Sequence, residues 1–497
     1  MGRTDDLYML IRSLTPAEKR AFALHARRHL KEPHYLTLFE TLGRQKQYDE
    51  DAVRRVFKET VSARHLAVIR HTLINEVIGC LQRFPSSASP EATMRSDIDA
   101  IAFLLGRGCT GVAERRLRKA LQQAQRLELP GIVLELCGLQ RRLPDVPSRT
   151  LERTLTEERR AIHMLRDTYD ALSVLARSAT WVAEWYARRT IPSEDCAWIE
   201  LETRTDDDTV RSSVRTRICR LRIGLRHAII RNDTERQRHA IRDVAGSLQH
   251  APHLHGTAVL DWTDAIVECN DTAFRLGDGE ALRMLAALAR TIEAAAMSVD
   301  MKQRARVAAI DAECALAILA GINAHAVVDT ALREHSDARR ALPTAARAAW
   351  NVRLATACLM TLRYKDALDL VNDVLSDQAG RTAHPYWHGQ TLMVNTITHL
   401  ALDNRDYVPY CIRSAVRRTE RGAALSGADV SLLRTMGRLV RGTGRSLPSI
   451  IDDICRQWLE SSTDGMHVVI RRLLKEWSTT NMIPNGSSST HSHQAVA

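Results

Sequence analysis

The 497-residue sequence has little of what a sheet-rich, secreted or membrane protein needs. Glycine (23 residues), proline (14) and aromatic residues (5%) are scarce, and no segment sustains the apolar–polar alternation of a half-buried strand. No stretch approaches the ~20 apolar residues of a transmembrane helix, and the N-terminus carries aspartates where a signal peptide has its apolar segment. We therefore expect a cytoplasmic protein that is built from helices.

Motifs that carry catalytic chemistry are also missing. Neither of the usual glycine-rich phosphate loops occurs, and the nucleophile elbow of α/β hydrolases is absent. None of the ten cysteines belongs to a CxxC pair, so we interpret them as small buried apolar residues and not as zinc ligands or a redox pair. The sequence predicts a protein that is no enzyme and has no cofactor and no metal site.

Two groups of histidines have a spacing that a metal site would also need. His25 and His29 lie four residues apart on one predicted helix, but the HExxH pattern of zinc proteases is absent. His250, His253 and His255 share a short segment without a nearby cysteine or carboxylate. We interpret the first group as a solvated helix face and the second as a turn.

The helical signals divide the chain into three parts. Residues 1–84 form an N-terminal helical block, in which Thr15-Pro16-Ala17-Glu18 is a capped helix start. The proline- and serine-rich segment from Pro85 to Pro90 is a linker. Residues 91–477 are predicted as one helix after another, and residues 478–497, which lack apolar residues at helical spacing, as a disordered tail.

A repeat is the most informative pattern in the sequence. Several predicted helices open with a small residue that is followed by apolar residues three to four and seven to eight positions on, namely Ala240, Ala281, Ala324 and Ala367. These alanines are 41, 43 and 43 residues apart, and Ala197 lies another 43 residues before the first. Two helices and two turns take ~34–47 residues in helical repeats. We predict an all-α fold, an α-solenoid of antiparallel helical hairpins with a period of about 43 residues.

One unit of this repeat resembles the tetratricopeptide (TPR) family. From Trp350 to Gly380 a bulky residue, a leucine and a small residue precede the turn, and an aromatic residue and an alanine follow it: Trp350, Leu354, Ala355, Tyr364 and Ala367. The next unit departs from the pattern, because Tyr410 stands where the family has alanine. The period also exceeds the family's ~34 residues. The resemblance covers residues 280–420 and implies degenerate TPR-like repeats, a fold that serves as a scaffold for binding.

The N-terminal block has a resemblance of its own. The segment from Leu7 to Phe22, together with Tyr35 to Phe39 and Gln47 to Glu50, is similar to the opening of uncharacterised bacterial proteins with TPR-like repeats. That similarity implies no catalytic residues.

The formal net charge of +11 comes mainly from arginine. Around residues 210–230, Val214, Ile218 and Leu225 belong to the apolar stripe of a predicted helix. Four arginines share one flank of this helix: Arg211, Arg215, Arg222 and Arg226. This flank suits a solvated helix face, and the alternatives are an acidic protein surface and the phosphates of a nucleic acid.

An aromatic group lies on the preceding predicted helix, which runs from about residue 150 to 189. Trp181 and Trp185 share one face of it, and Tyr186 follows. Their expected role is core packing, and a peptide-gripping pocket is the alternative.

Two functions are compatible with these patterns. The first is a non-enzymatic scaffold for protein–protein interaction that holds a protein or peptide in the groove of the solenoid. The alternative is an RNA- or DNA-binding repeat protein that uses the arginine-rich flank, although that helix lacks stacking aromatic residues.

Overall fold

A computed structural model gives the fold of the chain. It describes residues 6–29, 33–45, 48–57, 61–82, 90–144, 146–188, 213–296, 298–321, 324–342, 344–377, 385–420, 425, 427–441, 466, 470, 472 and 473. These residues form twenty α-helices, one 3₁₀ turn and no strand, so the prediction of an all-α protein is confirmed. No helix in this part of the chain is long and apolar enough to span a bilayer. The predicted tail, 478–497, lies outside the described residues, as does the predicted linker apart from Pro90.

The chain divides into two compact units, and the first contains residues 1–120 and 297–299. Its helices are α1 (Asp6–Ser13), α2 (Pro16–His29), α3 (Pro33–Arg44), α4 (Glu50–Phe57), α5 (Ala63–Gln82), α6 (Pro90–Gly106) and the greater part of α7 (Thr110–Arg126). Helices α1 to α5 share a separate apolar core that includes Leu7, Phe22, Leu38, Phe57 and Leu73. Burial of such side chains stabilises the folded unit by about 1.5–3 kcal/mol each.

Helix α2 begins as the sequence predicts. The hydroxyl of Thr15 accepts a hydrogen bond from the backbone N–H of Glu18 at 3.2 Å, and the Glu18 carboxylate accepts one from the backbone N–H of Thr15 at 2.7 Å. This reciprocal pair satisfies two donors that the first helical turn leaves unpaired.

The second unit contains the remaining helices. They are α8 (Pro130–Gln140), α9 (Ser148–Arg188), α10 (Val214–Ile230), α11 (Thr234–Gln249), α12 (Val259–Arg275), α13 (Gly279–Ala295), α14 (Val299–Ala320), α15 (His325–Ala341), α16 (Thr344–Met360), α17 (Tyr364–Ser376), α18 (Pro385–Ala401), α19 (Val408–Glu420) and α20 (Gly427–Arg441). A 3₁₀ turn, Pro252–Leu254, precedes α12. One continuous apolar core extends from Ile218 to Leu473.

Consecutive helices of this unit pack against each other in pairs: α10 with α11, α12 with α13, α16 with α17, and α18 with α19. Every second helix from α11 on, namely α11, α13, α15, α17 and α19, begins 39 to 46 residues after the one before it. The alanines that mark the repeat in the sequence lie at or near the start of these second helices. Four of them are at most 9% exposed: Ala240, Ala281, Ala324 and Ala367. Ala197 lies outside the described residues.

The turns before these five helices share one backbone feature among the described residues. One residue adopts a positive φ of 55° to 65° after the preceding helix, at Asn232, Gly277, Gly321, Leu362 and Asp403. At four of these turns the next N–H donates to a carbonyl five residues back, as from Asp278 to Ala273 at 2.9 Å. This is the Schellman arrangement, which satisfies carbonyls that a helix end leaves unpaired. These five residues recur at intervals of 41 to 45 positions.

Candidate functional site

The predicted arginine flank is occupied by carboxylates of the same chain. On α10, Arg215 pairs with Asp261 at 2.6 Å, and Arg222 and Arg226 both pair with Glu268 at 2.7 and 2.5 Å. Both acidic residues lie on α12. Arg211, the fourth predicted site residue, lies outside the described residues.

Arg226 also joins α10 to α9. Its guanidinium donates to the hydroxyl of Ser178 at 3.0 Å and to the carbonyl of Leu175. The side chains of Arg222 and Arg226 are each 12% exposed, so their charges are satisfied within the fold. Burial opposes ionisation of Glu268, but the two guanidiniums outweigh it and lower the pKa of Glu268 to about 2. The anion that these two arginines bind in this structure is therefore Glu268.

A second and deeper ionic cluster is centred on Arg353 of α16. Its guanidinium donates to both carboxylate oxygens of Asp311 on α14, at 2.8 and 2.9 Å, and to Asp271 on α12 at 3.1 Å. The amide of Asn270 donates to Asp311 at 3.3 Å. Arg353 and Asp311 are 1% and 3% exposed at the side chain, so the pair lies fully inside the fold.

Aromatic rings enclose this cluster. The Arg353 guanidinium lies 5.1 Å from the ring centre of Trp387 and 5.9 Å from that of Phe274, and Arg275 lies 5.7 Å from that of Tyr386. Such distances give favourable cation–π contacts. Side chains from α12, α14, α16 and α18 thus meet at one buried centre.

Five ion pairs join helices that are two apart in the chain. The paired residues are separated by 40 to 46 positions: Arg215–Asp261, Arg222–Glu268, Arg226–Glu268, Arg304–Asp264 and Arg353–Asp311. The sequence contains this signal, because each arginine has a carboxylate about one repeat before or after it. The arginine pattern of a single helix does not reveal these pairs.

The histidines that we examined for metal binding have other contacts. His25 lies 3.4 Å from the Glu76 carboxylate. His250 and His255 contact the backbone carbonyls of Gly246 and Leu248 at 2.6 and 2.9 Å. No cluster of three or more metal-ligating side chains occurs within the described ranges.

The cysteines and the predicted aromatic group lie mostly inside the protein. Seven of the eight cysteines that the structure describes are buried, and Cys109 is exposed. Burial raises the pKa of the Cys137 thiol to about 11, which disfavours the reactive thiolate. Trp181 and Trp185 are half-buried and pack against apolar clusters, as expected for core residues.

One group of aromatic residues is exposed to solvent, at the turn between α18 and α19. Tyr407 is 47% and Tyr410 55% exposed, and their ring centres lie 5.2 Å apart. The His399 ring lies 4.5 Å from that of Tyr407. We call these three residues, with the partly exposed Leu402, the aromatic patch. Tyr410 is the residue that replaces alanine in the TPR pattern.

An open depression of about 680 Å³ adjoins the aromatic patch. It is lined by His399, Asp403, Asn404, Arg405, Asp406 and Tyr407. Arg405 is paired with Asp403 at 2.8 Å, whereas Asp406 forms no ion pair with any described residue. The amide of Asn404 lies 3.2 Å from Nδ1 of His399, and burial lowers the pKa of His399 below its ordinary value. A neutral imidazole, two phenol rings and an unpaired carboxylate therefore share one surface.

Another exposed apolar stripe follows α9, where Leu155, Ile162 and Tyr169 recur every seven residues. Ile162 is 55% and Tyr169 68% exposed. Tyr169 carries the one aromatic ring among these three side chains, and it forms no aromatic contact with any described residue. The aromatic patch is therefore the better-formed candidate site.

No family model, curated relative or solved structure matches the chain.

Proposed function

We propose that the second unit is a degenerate TPR-like α-solenoid and that the protein is a non-enzymatic scaffold for protein–protein interaction. The recurring helix pairs and their shared left-handed turn support this architecture. Solenoids of this kind present fixed surfaces to partners, because each repeat is held by its neighbours. The ionic pairs between first helices provide such support here.

The aromatic patch is the surface to which we assign partner binding. Arg353 and Asp311 are buried and paired with each other, so we assign partner binding to the exposed turn between α18 and α19. The observation that carries this proposal is the ring contact between two solvent-exposed tyrosines beside an open depression. Tyrosine is enriched in binding hot spots, and in a protein with only 5% aromatic residues such a pair is conspicuous.

Nucleic-acid binding through the arginine flank has less support. Arg222 and Arg226 already share Glu268, and Arg215 is paired with Asp261. A phosphate backbone would have to displace these carboxylates, and two of the three guanidiniums are largely buried.

A displayed peptide library tests the proposal. Peptides are selected on the full-length protein, and their affinities are then measured for three proteins: wild type, Tyr407→Ser/Tyr410→Ser, and Tyr169→Ser. Tyr169 is the control because it is an exposed tyrosine on α9. We expect the double variant to lose at least roughly tenfold in affinity, as for a hot-spot pair, and the control to keep wild-type affinity.

Two results would contradict the proposal. One is a set of selected peptides that bind the double variant as tightly as the wild type. The other is failure to select any peptide while a mixed-sequence RNA binds with a steep salt dependence, which would favour the nucleic-acid function.

A further inference from the structure

We infer that the aromatic patch binds a cationic side chain, a lysine or arginine of a partner segment. This inference rests on the proposed function and adds the chemistry of the partner.

The rings supply the first part of the argument. Tyr407 and Tyr410 are tilted by 38° to each other at a ring-centre distance of 5.2 Å, and about half of each side chain is exposed. The negative electrostatic potential of an aromatic face attracts a cation that comes within about 6 Å of the ring centre. Two adjacent rings therefore form one platform for a guanidinium or an ammonium group.

The surface around the two rings carries excess negative charge, which favours a cation. Asp406 is adjacent to Tyr407 in the chain, lines the same depression and has no ion-pair partner in the described part of the chain. The positive charge of Arg405 is balanced by Asp403 at 2.8 Å. The lining thus carries one carboxylate in excess, although the whole protein has a net charge of +11.

The alternative partner chemistries fit this surface less well. An acidic segment would meet the unpaired Asp406 carboxylate and the negative faces of both rings. A purely apolar segment would cover Asp406 and the polar side chain of Asn404 without replacing their hydration. A cation satisfies the carboxylate and the rings together.

The test uses the full-length protein labelled with 3-fluorotyrosine and observed by fluorine NMR. The chain has nine tyrosines, and the resonances of Tyr407 and Tyr410 are assigned with Tyr→Phe variants. The probes are methylguanidinium chloride and tetramethylammonium chloride, each compared with sodium chloride at the same ionic strength. Sodium acetate serves as the anionic probe.

We expect both cations to shift the Tyr407 and Tyr410 resonances along saturable curves and to leave Tyr169 unchanged. Asp406→Asn should weaken binding by about two- to fivefold, the range for one exposed charge pair. Asp369→Asn, which removes an exposed carboxylate on α17, should change nothing. Tyr407→Phe keeps the aromatic face and should retain cation binding at Tyr410, whereas Tyr407→Leu should lose most of it.

Linear shifts common to all nine tyrosines would overturn the inference, and so would a saturable response to acetate alone. The two proposals fail separately. If selected peptides require both tyrosines but contain no basic residue, and the cations do not bind, the scaffold function stands and this inference is wrong. If the cations bind but no peptide depends on the patch, the partner function is wrong and the cation site stands.

Discussion

Arg353 on α16 and Asp311 on α14 form a bidentate ion pair at the centre of the second unit. The guanidinium Nη2 lies 2.8 and 2.9 Å from the two carboxylate oxygens, and Nε lies 3.0 Å from the first of them. The residues are 42 positions apart, about one repeat. The pair therefore links α14 to α16. Because the planar guanidinium donates to both carboxylate oxygens, the pair also fixes how far one helix lies along the other, which a lysine could not do.

Breaking this pair should strongly destabilise the second unit. Arg353→Met leaves the Asp311 carboxylate buried without its main partner, and we expect a loss of about 3–5 kcal/mol. Urea unfolding, followed by circular dichroism, measures this loss of unfolding free energy. Arg353→Met/Asp311→Leu replaces both charges with apolar groups and should recover most of the loss. Arg405→Met, at an exposed pair, should cost less than about 1 kcal/mol. A double variant no more stable than the single one would contradict this account.

Glu268 should make the stability of the second unit depend on pH in the acid range. Arg226 and Arg222 lower its pKa from 4.5 to about 2 in the folded protein, despite the opposing effect of burial. A lowered pKa means that the stabilisation is complete above about pH 4.5 and is lost as the pH falls towards 2. It amounts to about 3 kcal/mol, because each unit of pKa corresponds to about 1.4 kcal/mol.

The variant Glu268→Gln isolates this effect. Its unfolding free energy should be well below that of the wild type at pH 7, and the difference should shrink between about pH 4.5 and 2. Glu114→Gln, which removes one partner of an exposed pair with Arg118, should follow the wild-type pH dependence. A difference between wild type and Glu268→Gln that stays constant down to pH 2 would show that Glu268 is not held by the two arginines.

Local structure in this chain could be predicted because its signals are local. The cap at Thr15 and Glu18 requires only a serine or threonine and an acid three residues apart. The alanines that recur every 41 to 43 residues from Ala240 to Ala367 are buried and lie at or near the start of α11, α13, α15 and α17. Ala367, for example, is completely buried.

The environment of the arginine flank could not be predicted in the same way. A helical wheel of α10 shows which side Arg222 and Arg226 occupy, but the helix that faces this side depends on how neighbouring pairs stack. The flank that the sequence leaves open to a partner or to solvent is turned towards α12. The sequence does mark one residue of the aromatic patch, because Tyr410 departs from the TPR pattern. Tyr410 is 55% exposed, whereas Ala367, the corresponding residue of the preceding helix pair, is buried.

The arginine flank can now be tested one residue at a time. The Arg222 side chain is 12% exposed and the Arg215 side chain 44% exposed. We therefore expect Arg222→Gln to lower the unfolding free energy by about 1–3 kcal/mol and Arg215→Gln to lower it by less than about 1 kcal/mol. Both variants are also tested for retention of a mixed-sequence RNA at low salt. We expect Arg215→Gln to change retention little. A severalfold loss of RNA retention in Arg215→Gln, with unchanged unfolding free energy, would show instead that the flank binds anions.

Gly321 and Gly277 offer a matched test of a contact between distant parts of the second unit. Both adopt a left-handed backbone, with φ of 64° and 65°, so alanine should cost about 1–2 kcal/mol at either position. A Cβ at Gly277 meets nothing within 4 Å, whereas one at Gly321 would lie 2.5 Å from Cζ of Arg472. That guanidinium donates to the carbonyls of Leu319, at 2.8 Å, and Ile318 at the end of α14.

Gly321→Ala should therefore destabilise the protein by about 0.5–1.5 kcal/mol more than Gly277→Ala does, because the flexible Arg472 side chain has to move and weaken its hydrogen bonds to the carbonyls of α14. Combining each variant with Arg472→Ala completes the comparison. In the Arg472→Ala background, Gly321→Ala should cost no more stability than Gly277→Ala, because Gly321→Ala and Arg472→Ala disrupt the same contact. At Gly277 the stability losses of the glycine variant and of Arg472→Ala should add. Equal losses for both glycine variants would mean that Arg472 does not hold the end of α14, because the backbone cost alone is common to both positions.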